Sequence, residues 1–114
     1  MTMMATPRTA VFPMSVDDAY TLSAVEVRAI VEDTIAGAYG ETPAEFASST
    51  AVSTDGSPVL ESPQAVLAVN RFNALFGKKR LIKLSKVAER NWATMAAVSA
   101  LIFSALQARK PVTA

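Results

Sequence analysis

The sequence contains no histidine and no cysteine among its 114 residues, and only four glycines. Without histidine, the chain has neither Ser-His and Cys-His nucleophile pairs nor an imidazole metal site. Without cysteine, zinc ribbons, disulfide scaffolds and thiol redox chemistry are excluded as well. A self-contained hydrolase or metalloenzyme is therefore not expected, which leaves either chemistry on carboxylates, Ser and Lys or a protein that binds or carries something. Of these two options we favour the protein that binds or carries something, with no catalytic residues and no metal site.

The residues that are abundant point to helices. Alanine supplies 21 residues, whereas long alternating runs of β-branched or aromatic residues are missing. The length suits a single domain with one small hydrophobic core. The N-terminal segment lacks an apolar run of the length that a secretory signal needs, so we expect a cytoplasmic protein.

Acidic and basic residues are divided between the two halves of the chain. Residues 1–61 hold nine acids and two bases, and residues 62–114 hold nine bases and one acid. Six of the bases fall between Lys78 and Arg90. Two interpretations stay open: the halves attract each other within the fold, or the basic segment binds an anionic partner such as phosphate, an acidic protein, nucleic acid or a membrane surface.

The first helix has a clear start and stop. Residues 1–20 contain two prolines and no periodicity, and we predict a disordered N-terminal arm there. Ser23 and Glu26 form a capping-box pattern. The apolar residues of Val27–Ala38 then repeat with helical spacing, which predicts one buried face. Gly40 is a natural stop.

The rest of the chain reads as a long polar connection followed by helices. Residues 41–61 form the connection, and we expect Phe46 and Val52 to pin it to the core. Three further helices are predicted: one from Ser62 as N-cap to Phe76, a short one through Lys86–Arg90 capped by Ser85, and one from Thr94 as N-cap to about Arg109.

The last of these helices is apolar enough to raise the question of a membrane span. Residues 91–108 contain no charged side chain over 18 residues, which is near the lower limit for crossing a bilayer. Polar residues such as Thr94, Ser99 and Ser104 interrupt the run, and the strongly apolar residues keep to one stripe. We therefore expect a core helix and no membrane association.

Four short motifs occur in a recognisable order. They are Leu60-Glu61-Ser62-Pro63-Gln64 at the start of a helix, Phe76-Gly77 fourteen residues after Ser62, the apolar pair Ile82 and Leu84, and Ala93-Thr94-Met95 before the last helix. In this order and spacing the chain resembles the acyl carrier protein family over roughly residues 23–108. In that family, a serine within an Asp-Ser-Leu signature carries a phosphopantetheine arm.

The resemblance implies both a fold and a function. The fold is all-α, a small four-helix bundle with a long loop between helices 1 and 2, spanning residues 21–109 with a C-terminal tail at 110–114. Ser62 would carry covalent 4'-phosphopantetheine, making the chain a phosphoprotein. A phosphopantetheinyl transferase would attach the arm. A monomeric carrier would then present an acyl or biosynthetic intermediate to acyl-processing enzymes in trans, as in fatty acid or polyketide biosynthesis.

Elementary electrostatics supports the same serine. The N-terminus of a helix exposes unpaired N–H groups and the positive end of the helix dipole, which stabilise a phosphodiester. The alternative is that Ser62-Pro63 is simply a good helix start. Ser57 is a second candidate for the arm, but it lies nineteen residues before Phe76, which does not match the family, so we rank it below Ser62.

The chain departs from the family at its recognition surface. Glu61 replaces the usual aspartate, Pro63 replaces the usual leucine, and the second helix lacks the acids that partner enzymes normally read. We therefore expect partners with acidic docking surfaces. The alternative function is an unmodified helical adaptor that binds an acidic partner through residues 78–90. Nucleic acid is not expected, because no aromatic residue is interleaved with the bases. The predicted partner-binding residues are Glu61, Pro63, Val66, Arg71, Lys78, Lys79, Arg80, Lys83 and Lys86.

Overall fold

A computed structural model describes Phe12 and residues 15–111. Within these residues the chain forms α1 (Val16–Tyr20), α2 (Ala24–Ala38), α3 (Pro43–Ser48), α4 (Ser62–Phe76) and α5 (Met95–Arg109), with two 3₁₀ turns at Leu84–Lys86 and Glu89–Asn91. The only β-type pairings among them are isolated bridges. The all-α prediction is confirmed.

Helix α2 begins where its capping box predicts. The Ser23 hydroxyl accepts a hydrogen bond from the Glu26 N–H at 3.1 Å, and the Glu26 carboxylate accepts one from the Ser23 N–H at 2.8 Å. Both bonds satisfy N–H groups that the helix cannot pair internally. The predicted apolar stripe is buried except at its end, where Ala38 is exposed and Ala36 is buried instead.

The core is formed chiefly by α2 and α5, which pack against each other more extensively than any other pair of helices, while α4 closes it from a third side. Each buried aliphatic or aromatic side chain contributes about 1.5–3 kcal/mol of transfer free energy. The largest fully buried side chains are Phe72, Ile30, Ile35, Met95, Ile102, Leu106, Val27, Val31, Val69 and Val98.

The chain before α2 is folded, at least from residue 15 onward. The Ser15 hydroxyl accepts a hydrogen bond from the Asp18 N–H at 3.2 Å, and Asp17 and Asp18 lie in the first turn of α1, where the helix dipole favours acids. Ala19 is completely buried in the core. The predicted arm is therefore wrong for residues 15–20, and its remainder, apart from Phe12, lies outside the described residues.

The connection between α2 and α4 contains a helix that we did not predict. Thr42 and Glu45 form a second capping box at the start of α3. This short helix buries Phe46, as expected, but Val52 is 64% exposed and does not pin the loop. Leu60 is buried instead, and its N–H donates to the Ala93 carbonyl at 2.8 Å. The connection is thus held by backbone pairing with the start of α5.

The segment after α4 differs from the predicted short helix at Lys86–Arg90. Gly77 ends α4 with a positive φ of 59°, as a helix-terminating glycine should. Two 3₁₀ turns then follow, and Val87 and Ala88 between them are extended. The β-branched Val87 favours extended backbone, and this break allows Leu84, Val87 and Trp92 all to pack against the core.

Helix α5 is a core helix, as predicted. The Thr94 hydroxyl accepts a hydrogen bond from the Ala97 N–H at 3.0 Å and so caps it. One face of the helix is buried along its length through Met95, Val98, Ile102 and Leu106. A bilayer needs a longer apolar helix than any found among the described residues.

Candidate functional site

Ser62 is the first helical residue of α4, and Glu61, not Ser62, is its N-cap. The Glu61 N–H donates to the Gln64 side-chain oxygen at 2.7 Å, and the N–H groups of Gln64 and Ala65 donate to the Glu61 carbonyl. The prediction of Ser62 as N-cap is therefore wrong by one residue. The consequence favours access to Ser62, because its hydroxyl is exposed and makes no hydrogen bond to another described group.

The start of α4 offers an anion a favourable dipole but few backbone donors. Pro63 has no N–H, and the N–H of Glu61 is already taken by Gln64. The positive end of a 15-residue helix remains beside the Ser62 hydroxyl. Glu61 and Pro63, which we predict to contact a partner, are both exposed.

A cavity of about 390 Å³ opens beside Ser62, between α4 and the two 3₁₀ turns. Most of its wall is apolar and comes from Val66, Leu84, Val87 and Trp92. Ser85 and Glu89 complete the lining. We call this space the serine cavity.

A second cavity, of about 460 Å³, adjoins the first further along α4. The two cavities share Val66, Leu84 and Ser85 as lining residues. The rest of the second lining combines Val69 and Ile82 with the polar or basic side chains of Asn70, Asn73, Arg80, Lys83 and Lys86. None of the described acidic residues lines it. Because Arg80, Lys83 and Lys86 do, we call it the cation cavity.

The basic wall of the cation cavity is fastened to the helices on two sides. The Asn73 amide donates to the Ile82 carbonyl and accepts from the Ile82 N–H, both at 2.9 Å. At the other end, the Arg109 guanidinium donates to the carbonyls of Lys79 and Arg80. The backbone carrying Arg80 and Lys83 therefore keeps a fixed position relative to α4.

The structure brings together only part of the predicted partner-binding set. Arg80, Lys83 and Lys86 lie together with Val66 at the cation cavity. Lys78 and Lys79 are exposed but do not line it. Arg71 is committed elsewhere, because its guanidinium donates to the Thr34 hydroxyl at 2.7 Å and lies 4.4 Å above the centre of the Phe12 ring.

Direct ion pairs do not join the acidic and basic halves of the described chain. Between Phe12 and Pro111, where the structure describes it, the one salt bridge joins Arg28 to Glu32 at 2.9 Å within α2. The bases of residues 78–90 therefore have no acidic partner there. Nor do three potential metal-ligating side chains cluster anywhere in that part of the chain.

Ser57 is not an attachment site, because it is only 2% exposed and fully engaged. Its hydroxyl donates to the Asp55 carboxylate at 2.7 Å and accepts from the Ala96 N–H at 3.0 Å. The other carboxylate oxygen of Asp55 accepts from the Thr94 hydroxyl at 2.6 Å. The Thr94 hydroxyl, and after it Ser57, hold the pKa of Asp55 below its ordinary value. We call Asp55, Ser57 and Thr94 the loop clasp.

Several roles in these sites were not predicted from the sequence, among them the bonds of Ser57 to Asp55 and Ala96. The sequence Asp55-Gly56-Ser57 carried a readable signal, because aspartate before glycine favours a turn in which the carboxylate accepts from the N–H two residues later. The Ser57 N–H makes this bond to Asp55 in the structure. Asn70 and Asn73 carried no such signal, since nothing local distinguishes them from ordinary polar positions on a helix. Trp92 packs against the core and also forms a wall of the serine cavity.

No family model matches this chain, and no curated protein or solved structure matches it either. The chemistry of the two cavities therefore has to follow from the residues that line them.

Proposed function

We propose that this chain is a carrier protein that holds an acyl or related biosynthetic intermediate on Ser62 through 4'-phosphopantetheine. One observation carries the proposal: the Ser62 hydroxyl is exposed at the first turn of a long helix and opens onto a cavity with a largely apolar wall. A carrier needs both features, since a modifying enzyme must reach the hydroxyl and the attached group must find a surface to rest on.

The proposal includes the arrangement of the fold and the setting in which it works. The long helices α2, α4 and α5, with the 3₁₀ segment between the last two, would correspond to a divergent acyl-carrier-like four-helix bundle. The carrier itself would catalyse nothing, and enzymes acting in trans in the cytoplasm would load and unload it. Their docking surfaces would be acidic, to match the bases of residues 78–90.

The residues around Ser62 fit the arm in part. The helix dipole favours a phosphodiester at this position, and the apolar wall of Val66, Val87 and Trp92 suits the pantetheine chain. Glu61 and Pro63 provide no backbone donor for the phosphate. The phosphate would therefore stay solvated. The contacts that hold the arm would come mainly from the residues that line the serine cavity.

Attachment is a phosphoryl transfer with coenzyme A as the co-reactant. The Ser62 oxygen forms a new P–O bond with the phosphate that bears pantetheine, and the P–O–P bond to the nucleotide breaks. Adenosine bisphosphate leaves, and the hydroxyl proton passes to a base of the transferase. Because Ser62 makes no competing side-chain hydrogen bond to any described residue, its hydroxyl can turn toward the transferase. Once attached, the arm supplies a thiol, which this sequence lacks.

Intact mass spectrometry tests the proposal directly. The full-length chain is incubated with coenzyme A and a broad-specificity phosphopantetheinyl transferase, and it is also isolated from its native host. We expect the mass of one phosphopantetheine in both samples and its loss in Ser62→Ala. The matched control is Ser85→Ala, which removes an exposed hydroxyl from the same cavity and should stay modified. An unmodified chain in both samples contradicts the proposal.

A second candidate is an unmodified adaptor that holds an acidic partner on residues 78–90. The observation in its favour is that these exposed bases lack acidic partners in the described part of the chain. Titration with poly-L-glutamate at low and high salt tests it, because exposed charge contacts are screened within about 8 Å at physiological ionic strength. Salt-sensitive binding by a chain that stays unmodified supports the adaptor, and the absence of binding at low salt contradicts it.

A further inference from the structure

The cation cavity suggests which class of cargo the carrier would hold. Arg80, Lys83 and Lys86 share its wall, and no acid offsets them there. Asn70 and Ser85 add polar groups that make no hydrogen bond to other described residues. A neutral hydrocarbon chain placed here would desolvate these polar groups without replacing their hydrogen bonds, which is costly. A carboxylate would satisfy them.

The two cavities are aligned so that one tether can run through both. Along α4, Ser62, Val66, Asn70 and Asn73 follow one another at intervals of three or four residues, so they lie along one side of the helix. At 1.5 Å per residue, Asn70 and Asn73 lie about 12 and 17 Å from Ser62 along the helix axis. An extended tether from Ser62 therefore meets the apolar wall first and the basic wall at its far end.

The basic wall is held in place before any ligand arrives. The paired hydrogen bonds of Asn73 with Ile82 fix the segment between Arg80 and Lys83. Binding an anion there requires little reordering of the backbone, which lowers the entropic cost of association. The anion also relieves the mutual repulsion of three neighbouring cations.

We propose that the cargo on Ser62 ends in an anionic group, as a dicarboxylic acyl unit does, and that Arg80, Lys83 and Lys86 bind this group in the cation cavity. This inference rests on the proposed carrier function. It adds a preference that the apolar serine cavity alone would not give, because an apolar wall favours hydrocarbon chains and cannot select a charged end group.

The first test uses the native serine. The full-length chain is loaded by the transferase from succinyl-coenzyme A or from butyryl-coenzyme A, so the two cargoes have the same carbon count and differ in end-group charge. We expect the backbone amide NMR signals of Asn73, Arg80 and Lys83 to shift with the succinyl cargo and to stay close to the unacylated holo-protein with butyryl. Equal shifts with both cargoes overturn the inference.

Charge variants show whether the cations cause the effect. The pair Lys83→Gln and Lys86→Gln removes two charges from the cavity wall, and the matched control, Lys78→Gln with Lys79→Gln, removes two outside it. We expect the cavity pair to weaken occupancy by the succinyl cargo about tenfold, since each exposed ion pair is worth a few-fold. The control variant should retain most of the occupancy by the succinyl cargo. Equal losses in the two variants overturn the inference.

The second test does not depend on the transferase. The chain has no cysteine, so Ser62→Cys provides a single thiol for a haloacetamide tether of pantetheine length, ending in a carboxylate or in a carboxamide. Carboxylate-specific shifts that decrease at high salt support anion selection by the cavity. If they occur while native Ser62 is never modified, the carrier function fails and the cargo assignment fails with it. If Ser62 is modified but neither carboxylate binds, only the cargo assignment fails.

Discussion

Removing the Ser57 hydroxyl tests whether the loop clasp holds the connection between α3 and α4. The substitution Ser57→Ala deletes one donor and one acceptor and leaves every apolar contact of the core in place. The Ser57 hydroxyl links two elements by hydrogen bonds, because Asp55 belongs to the loop and Ala96 to the first turn of α5. The variant should therefore weaken the attachment of the loop to α5 without disturbing either element itself.

The expected loss of stability in Ser57→Ala follows from the hydrogen-bonding groups that it leaves without partners. Ser57 is 2% exposed, so water does not readily replace its hydroxyl. A partly buried N–H that loses its acceptor, here that of Ala96, costs about 1–3 kcal/mol. We expect a free energy of unfolding lower by about 2 kcal/mol, which for a domain of this size lowers the melting temperature by about 10 °C.

Urea and thermal denaturation followed by circular dichroism measure the effect, with Ser53→Ala as the control. Ser53 lies in the same loop, and its side chain makes no hydrogen bond to a described group, although its backbone pairs with Ser57. The control should change stability by less than about 0.5 kcal/mol. Equal stability of Ser57→Ala and Ser53→Ala would show that the clasp does not hold the loop.

Two further predictions concern acid stability and the core. Because the pKa of Asp55 is lowered in the folded state, its carboxylate stabilises the fold above the ordinary value of 3.8, and this contribution is lost as the pH falls from there through the lower folded-state pKa. Asp55→Asn should therefore be less stable than wild type at pH 7 and flatten the decline in stability below pH 4, and unchanged acid profiles would refute this role. Ile102→Asp places a carboxylate at a fully buried position of α5 and should abolish the cooperative thermal transition, whereas Gln107→Asp on the exposed face should retain it. A cooperative transition in Ile102→Asp would contradict the packing of α5 against α2.

Helix ends could be predicted wherever the signal is local. The capping box of Ser23 and Glu26, the Thr94 cap and the glycine after Phe76 each act within a few residues, and all three are confirmed. The Ser62 cap failed because two local signals compete. With Glu61 as N-cap, Gln64 returns a hydrogen bond, whereas with Ser62 the corresponding residue would be alanine, which has no side-chain acceptor.

The connections could not be predicted because long-range contacts decide their structure. The clasp joins Asp55 to Thr94 across 39 residues, and Asn73 bonds Ile82 across nine. Neither partner of such a pair is recognisable alone in one sequence. The cation cavity has the same origin, since the sequence showed a basic segment but not that Arg80 and Lys83 face α4 across a common space.

The double hydrogen bond of Asn73 could not survive conversion of this side chain to aspartate. An asparagine amide donates and accepts at once, as the two Ile82 bonds require. Spontaneous deamidation would replace its donor with a carboxylate oxygen facing the Ile82 carbonyl, so two acceptors would repel each other. A glutamine at this position would keep both the donor and the acceptor but would place them one methylene further from the backbone. Hydrolysis of the Asn73 side chain alone would therefore release the segment around Ile82 from α4, with no residue of the hydrophobic interior altered.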